Sequence, residues 1–250
     1  MDITNLECLP TDVYNHFNLK LSDLIRLANT TKNMRELILN SNIKINGVTT
    51  YTRNIKSWTR FLLNVNVNNE SLEDIHLFVN VHNICLSYTK VVDVSGLGRI
   101  HTLNLKGTKI SDVSALGGVH TLDISYTNVV DVSGLGGVYN LNLSSTKITD
   151  TSALGGVHTL NLSRTKVFDV SVLGGVHTLN LSRTNVIYVS ALSSVYNLNL
   201  SSTKVVDVSA LGRVRTLDLS YTNVVDVSAL SGVHTLNLLH TNVVDFFDAG

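Results

Sequence analysis

Apolar residues recur along this chain at a fixed spacing. In residues 116–135, LGGVHTLDISYTNVVDVSGL, they fall at Leu116, Val119, Leu122, Ile124, Val129, Val132 and Leu135. The next copy places the same types at Val138, Leu141, Leu143, Ile148 and Leu154, an offset of 19 residues (135 − 116). The leucine file Leu97, Leu116, Leu135, Leu154, Leu173, Leu192, Leu211, Leu230 has no gap. Self-similarity at a short fixed period marks a solenoid, whose units are too small to bury their own apolar faces and must stack. Inside each copy, apolar and polar residues alternate as in Leu122-Asp123-Ile124, the period of a strand. The pattern predicts one parallel sheet built from residues 103–105, 122–124, 141–143, 160–162, 179–181, 198–200, 217–219 and 236–238. Asn104, Asp123, Asn142 and Asn161 should then face solvent, with their apolar neighbours facing inward. The frame starts faintly at Leu62, Val65, Val67, Leu72, Ile75 and Phe78, sharpens at Val81 and holds to Val243.

Written from Val119, each unit reads V-x-x-L-x-I-x-x-T-x-V. This resembles the leucine-rich repeat signature, in which L-x-x-L-x-L-x-x-N-x-L makes a strand and a turn. The tail, Ile110-Ser111-Asp112-Val113-Ser114-Ala115-Leu116, is similar to the internalin type of that family. Two departures stand out. The period of 19 falls below the family's lower bound of about 20, as though one three-residue apolar step were removed. Threonine also replaces the usual asparagine, at Thr89, Thr108, Thr127, Thr146, Thr165, Thr184, Thr203, Thr222 and Thr241. The resemblance covers about three-quarters of the 250 residues. It implies an α/β repeat solenoid: a right-handed coil with one parallel β-sheet and short turns or 3-10 segments, preceded by a small helical N-terminal region.

Residues 1–42 read as that helical region. Pro10 suits a first helical position, with Asp12 in the first turn, and Val13 and Phe17 share a face. Ser22 can cap a second helix carrying Leu24, Leu27 and Ala28, and Thr30 or Thr31 a third carrying Met34, Leu37 and Ile38. Residues 43–61 form a cap or connector, with a hairpin signal at Asn46-Gly47 and Trp58 as a plug. Residues 62–250 form the repeat domain. Within the first region, Leu9-Pro10-Thr11-Asp12-Val13, Phe17, Asp23-Leu24-Ile25-Arg26-Leu27, Thr31, Lys32 and Arg35-Glu36-Leu37 are similar to an F-box, although the middle is short and Met34 stands near the usual tryptophan. That resemblance implies docking on a Skp1-type subunit of a cullin ubiquitin ligase through Leu9, Pro10, Val13, Phe17, Leu24 and Leu27, while the repeats hold a protein substrate. The alternative is that the helices only cap the stack. Nearly identical repeats behind an F-box-like head also resemble proteins of large DNA viruses.

Charge changes little in this picture. Nineteen basic and nineteen acidic residues cancel, which favours neither nucleic acid nor a membrane surface as partner. Cys8 and Cys85, far apart, make neither a disulfide framework nor a metal-ligand spacing. The acidic N-terminus, without an apolar core, does not read as a signal peptide, and no run reaches the 18 or so apolar residues of a spanning helix. The expected setting is cytoplasmic, the host cytoplasm if viral, for a monomer. An internalin-like surface ligand would share the repeat but needs a secretion signal.

Several polar residue types also form files. Thr127 and its equivalents should point inward and bond turn backbone. The aspartates Asp93, Asp112, Asp131, Asp150, Asp169, Asp207, Asp226 and Asp245, interrupted by Tyr188, read as turn-capping carboxylates. Stacked carboxylates suggest calcium, but the glycine-rich calcium nonapeptide does not occur here. Like charges about 5 Å apart in water repel by only ~0.8 kcal/mol, and the file Lys90, Lys109, Asn128, Lys147, Lys166, Asn185, Lys204 lies close enough to relieve that. His82, His101, His120, His158, His177 and His234 share a file with Tyr139, Tyr196 and Arg215. It reads as a solvent-facing stack rather than a metal site, having no acidic or cysteine partner. With no phosphate loop and no triad signature, neither catalysis nor a cofactor is expected. Variation concentrates just after the strand, at Tyr88, Gly107, Tyr126, Ser145, Arg164, Arg183, Ser202, Tyr221 and His240. Tyrosine and arginine are favoured in interface hot spots. A protein ligand is therefore expected to contact Tyr126, Arg164, Arg183 and Tyr221.

Overall fold

The computed structural model describes residues 83–243 throughout and, ahead of them, the backbone of three strands at 44–45, 48–52 and 63–67. The helical reading of residues 1–42, its docking residues Leu9, Pro10, Val13, Phe17, Leu24 and Leu27, and the Trp58 plug lie outside the described residues.

All strands join one sheet in chain order. Strands β1 (Lys44–Ile45) and β2 (Val48–Thr52) pair antiparallel with Ile45 opposite Val48. Asn46-Gly47 is therefore the two-residue link that the hairpin signal anticipated. Strand β3 (Leu63–Val67) runs antiparallel to β2 and parallel to β4 (Asn83–Cys85). Val65 faces Ile84, 19 residues on, so the faint first repeat is already in frame.

From there every strand is three residues long and parallel to the last. These are β5 (Thr102–Asn104), β6 (Thr121–Asp123), β7 (Asn140–Asn142) and β8 (Thr159–Asn161). Then come β9 (Thr178–Asn180), β10 (Asn197–Asn199), β11 (Thr216–Asp218) and β12 (Thr235–Asn237). Each residue pairs with its equivalent 19 places away, as Leu122 with Leu141 and Leu141 with Leu160. A short 3-10 turn returns the chain after each of β4 to β11, for example Ser133–Leu135 and Ser190–Leu192. Eight steps of about 4.8 Å separate β4 from β12, a stack of roughly 38 Å.

The ladder sits one residue earlier than the alternation suggested. After Asn104 its side-chain Oδ1 accepts the Lys106 amide at 3.0 Å, and the chain begins to turn. The Leu105 amide still donates to Asp123 O of the next coil, at 2.7 Å. The facing directions are unchanged. Leu103 and Leu105 are buried, and Asn104 is half-buried on the outer side.

The core is one continuous apolar column. Its files are Leu97 to Leu230, Ile100 to Val214, Leu103 to Leu217, Leu86 to Leu219 and Val91 to Val224, all buried. In the last described coil Val233, Leu236, Leu238 and Val243 are only partly buried against it. One file inside is polar. Thr165 Oγ1 donates to Leu162 O at 2.6 Å, and Thr89, Thr108, Thr127, Thr146, Thr184, Thr203 and Thr222 repeat this bond within their own coils. The buried carbonyl, which in the Thr165 coil also accepts the Thr165 amide at 3.3 Å, thereby gains a second and shorter bond. Elsewhere Thr151 stands in a valine file, and its hydroxyl donates to Asp169 O of the next coil at 3.0 Å.

A hydrogen bond of this kind contributes about 0.5–1.5 kcal/mol net. Thr165→Val, nearly isosteric, should lower stability in urea by that amount, while Thr165→Ser restores most of it. Equal midpoints for parent and valine variant would show that the hydroxyl contributes nothing.

Candidate functional site

The left-handed file. Each coil makes its first turn at the residue after Lys106, Ser125 or their equivalents. There the backbone adopts positive φ, between 56° and 68°, at Tyr88, Gly107, Tyr126, Ser145, Arg164, Arg183, Ser202, Tyr221 and His240. Glycine takes this region freely, and other L-residues at a cost of roughly 1–2 kcal/mol. Eight of the nine nonetheless carry a side chain, so almost every coil holds a residue in this less favourable region. The turns are tied together. The Arg164 amide donates to Ser182 O and the Arg183 amide to Ser201 O, each at 2.9 Å.

All four expected contact residues lie in this file and all are exposed, Tyr126 at 52% and Tyr221 at 58%. Arg164 and Arg183 occupy adjacent coils, and each tyrosine stands two coils further out. The file is thus palindromic over six coils: Tyr126, Ser145, Arg164, Arg183, Ser202, Tyr221. Towards β4, the Lys106 ammonium sits 5.9 Å from the Tyr88 ring and 5.2 Å from the Tyr126 ring, a cation-π arrangement. Gly107 between them lets the Tyr88 ring lean across, because a Cβ there would come within 2.5 Å of it. At the far end the Tyr221 and His240 rings approach to 4.7 Å.

The outward strand positions are less available than the alternation suggested. Asn142, Asn161, Asn180 and Asn199 each turn Oδ1 back to the amide two residues on, at 2.9–3.1 Å. Asp123 and Asp218 do the same.

The aspartate file caps turns, as expected. Asp93, Asp112, Asp131, Asp150, Asp169, Asp207 and Asp226 accept the amide of the serine two residues later at 2.8–2.9 Å, at the start of each 3-10 turn. That backbone bond, then the same serine's hydroxyl, holds Asp112, Asp131, Asp169, Asp207 and Asp226 below the ordinary value of 3.8. Repulsion from Asp93 on Asp112, and from Asp226 on Asp207, acts in the opposite direction and is smaller. Among the described residues Lys109, Lys147, Lys166 and Lys204 reach no carboxylate within ion-pair distance, and each capping aspartate is held locally by its amide.

The ring file is a continuous stack. Centroids are 4.5 Å apart for His101–His120, 4.9 Å for His120–Tyr139 and 4.4 Å for Tyr139–His158. They are 4.7 Å apart for His158–His177 and 4.8 Å for His177–Tyr196, with the Arg215 guanidinium 5.9 Å beyond. Nδ1 of His101, His120, His158 and His177 lies 3.2–3.3 Å from the next threonine's hydroxyl. Among the described residues no three His, Cys, Asp or Glu side chains converge at one point.

One outer file went unread in the sequence. Val92, Val130, Phe168, Ile187, Val206 and Val225 are exposed, beside Tyr188 at 83%. The signal was present, because each follows a buried Val91 or Val129 equivalent in the same 19-residue frame. A depression of about 290 Å³ beside Phe168 is lined by Thr149, Asp150, Thr151, Ser152, Asp169, Ser171 and Val172. Its two carboxylates are the turn caps just described. No helix among the described residues is long and apolar enough to cross a membrane.

No protein-family model and no curated protein matches the sequence. Solved structures do match in fold. The chain is similar to an internalin, inlF, from Listeria monocytogenes, at 18% identity over 97% of this chain and 82% of that one, with a TM-score of 0.61. Internalin C2 from the same organism matches at 21% identity over 87% and 92%, TM-score 0.58. A plant peptide hormone receptor, RGFR1, solved in complex with RGF2, matches at 14% identity over 82% of this chain and 37% of that one, TM-score 0.51. These likenesses give the fold, a leucine-rich repeat solenoid with internalin-type neighbours.

Two outcomes test the site's physics. Aspartates with lowered values stabilise the fold fully above about pH 4, and that contribution is lost as pH falls through the lowered values. In urea titrations from pH 4 to pH 2, the parent should weaken more steeply than a variant with all five shifted aspartates changed to Asn. Parallel profiles would remove their capping role. At the left-handed file, Ser145→Gly should raise stability by about 0.5–1 kcal/mol and Ser145→Val should lower it. The reverse order would contradict the positive φ.

Proposed function

We propose that a leucine-rich repeat solenoid of this kind works as a non-catalytic protein-interaction module, with the left-handed file as its contact surface. One observation carries the reading. Along a stack whose inward files are nearly uniform, tyrosine, serine, arginine and histidine share an outward position where a side chain costs backbone energy. Uniform files answer to the fold, while a varied and strained one answers to something outside it. Tyr126, Arg164, Arg183 and Tyr221 are its hot-spot residues, tyrosine for area and arginine for directional hydrogen bonds. The repeating sheet edge gives an extended surface suited to a protein chain, and a neighbour of the same fold, RGFR1, is a peptide hormone receptor.

The finer reading rests on the sequence alone. In it, residues 9–39 dock a Skp1-type subunit through Leu9, Pro10, Val13, Phe17, Leu24 and Leu27, and the solenoid presents a protein substrate for ubiquitin-ligase recruitment in the cytoplasm. The rival reading, a solenoid whose N-terminal helices only cap the stack, predicts different behaviour of the same residues.

Affinity capture with the full chain separates these possibilities. Identified partners should be lost when Tyr126, Arg164, Arg183 and Tyr221 are all changed to Ala, and capture that survives all four changes would refute the surface. Replacing Leu9 and Pro10 by Ala should abolish binding of a purified Skp1-type protein with little change in melting temperature. Loss of about 2 kcal/mol or more of stability, with no binding by the parent, would leave the capping role instead.

A further inference from the structure

We propose that the central step of the left-handed file, Arg164 with Arg183, binds an acidic, extended segment of a partner protein. The inference rests on the reading of that file as the contact surface and adds the chemistry of the ligand. Both guanidiniums are exposed, and among the described residues neither has a carboxylate within ion-pair distance. Their backbones are pinned one coil apart by the Arg164–Ser182 bond at 2.9 Å. Two residues after Ser145, Arg164 and Ser202 of the same file, Lys147, Lys166 and Lys204 are exposed and likewise without a carboxylate partner among the described residues. Five cations therefore occupy four consecutive coils on one edge of a chain whose net charge is zero.

The acids in these coils are fewer and stand off the turn. On the strands of these four coils the outward residues are Asn142, Asn161, Asn180 and Asn199, whereas Asp123 and Asp218 belong to the coils just outside. The aspartate file breaks at Tyr188, in Arg183's own coil, and in the other three coils Asp150, Asp169 and Asp207 turn to backbone amides, so five cations stand against three carboxylates. Excess positive charge with no internal partner calls for an external anion, and two free guanidiniums suit carboxylates bidentately.

Size and surroundings favour protein over nucleic acid. The cationic stretch spans three coil steps, about 14 Å, and Tyr126 and Tyr221 bound it over five, about 24 Å. An extended peptide covers that distance in about seven residues at roughly 3.3 Å each. Asp123 and Asp218 at either side would repel a continuous phosphate backbone but leave a short acidic segment undisturbed.

The test uses the full chain and fluorescence anisotropy with three probes: an eight-residue peptide carrying four glutamates, its glutamine counterpart, and an oligothymidylate of eight nucleotides. The acidic peptide should bind, and more weakly as salt rises from about 50 to 300 mM. The glutamine counterpart should bind about tenfold more weakly or worse. Arg164→Gln with Arg183→Gln should cost a similar factor at unchanged melting temperature, and the paired Arg→Lys variant should recover part of it. Undiminished binding by the Gln pair, tighter binding of the oligothymidylate, or no binding of the acidic peptide would each overturn the proposal. If the acidic peptide fails while captured partners still depend on Tyr126 and Tyr221, the contact surface stands and only its acidic ligand falls.

Discussion

Each coil is held by the coils on either side of it. A unit of nineteen residues has too little apolar surface to offset the ordering of its own backbone. The structure instead joins every strand residue to its equivalent one repeat away, and stacks leucine on leucine through the interior. Such a register has a price beyond the core: each residue's nearest neighbour is its own kind. Apolar groups gain from this, and charged or strained groups do not.

The outer files answer that problem in different ways. Aspartates turn inward to the backbone, so that each carboxylate meets an amide before it meets another carboxylate. Imidazole and phenol rings lie flat on one another, where like-on-like contact is favourable. Strand asparagines fold their oxygens into the next turn. The left-handed file and its neighbouring lysines, by contrast, leave their charges without a carboxylate within the described residues. Internal chemistry is settled nearly everywhere else, which gives this edge its meaning.

Much of this was legible in the sequence because the period translates directly into stacking. The leucine column, the inward threonines, the capping aspartates and the Asn46-Gly47 hairpin all follow from spacing and residue type. Val65 opposite Ile84 shows that even the degenerate repeat kept its frame. The misses have a common origin in backbone geometry. Spacing alone does not say that Tyr126 and Arg164 sit at positive φ, because bulky residues there run against intrinsic preference. Nor does it separate a lysine near an aspartate from one that touches it, and at Lys166 and Asp169 a local amide wins. The outer row through Phe168 and Ile187 escaped because two successive apolar residues, such as Val129 and Val130, look alike until one is seen to point out.

The one-to-one register has a further consequence. Every interface between described coils is of one type, and nothing in it records a coil's ordinal place. Length in this molecule is therefore counted in whole coils rather than fixed by closure. Adding or removing a unit of nineteen residues would leave every remaining contact in kind, while a change of eighteen or twenty would put leucines outside and asparagines within. A gene encoding such a chain can grow or shrink by recombination between its own copies and still specify a folded product. What changes is which outward side chains stand next to each other, so the pairing of Arg164 with Arg183 is a matter of arrangement, open to reshuffling without refolding.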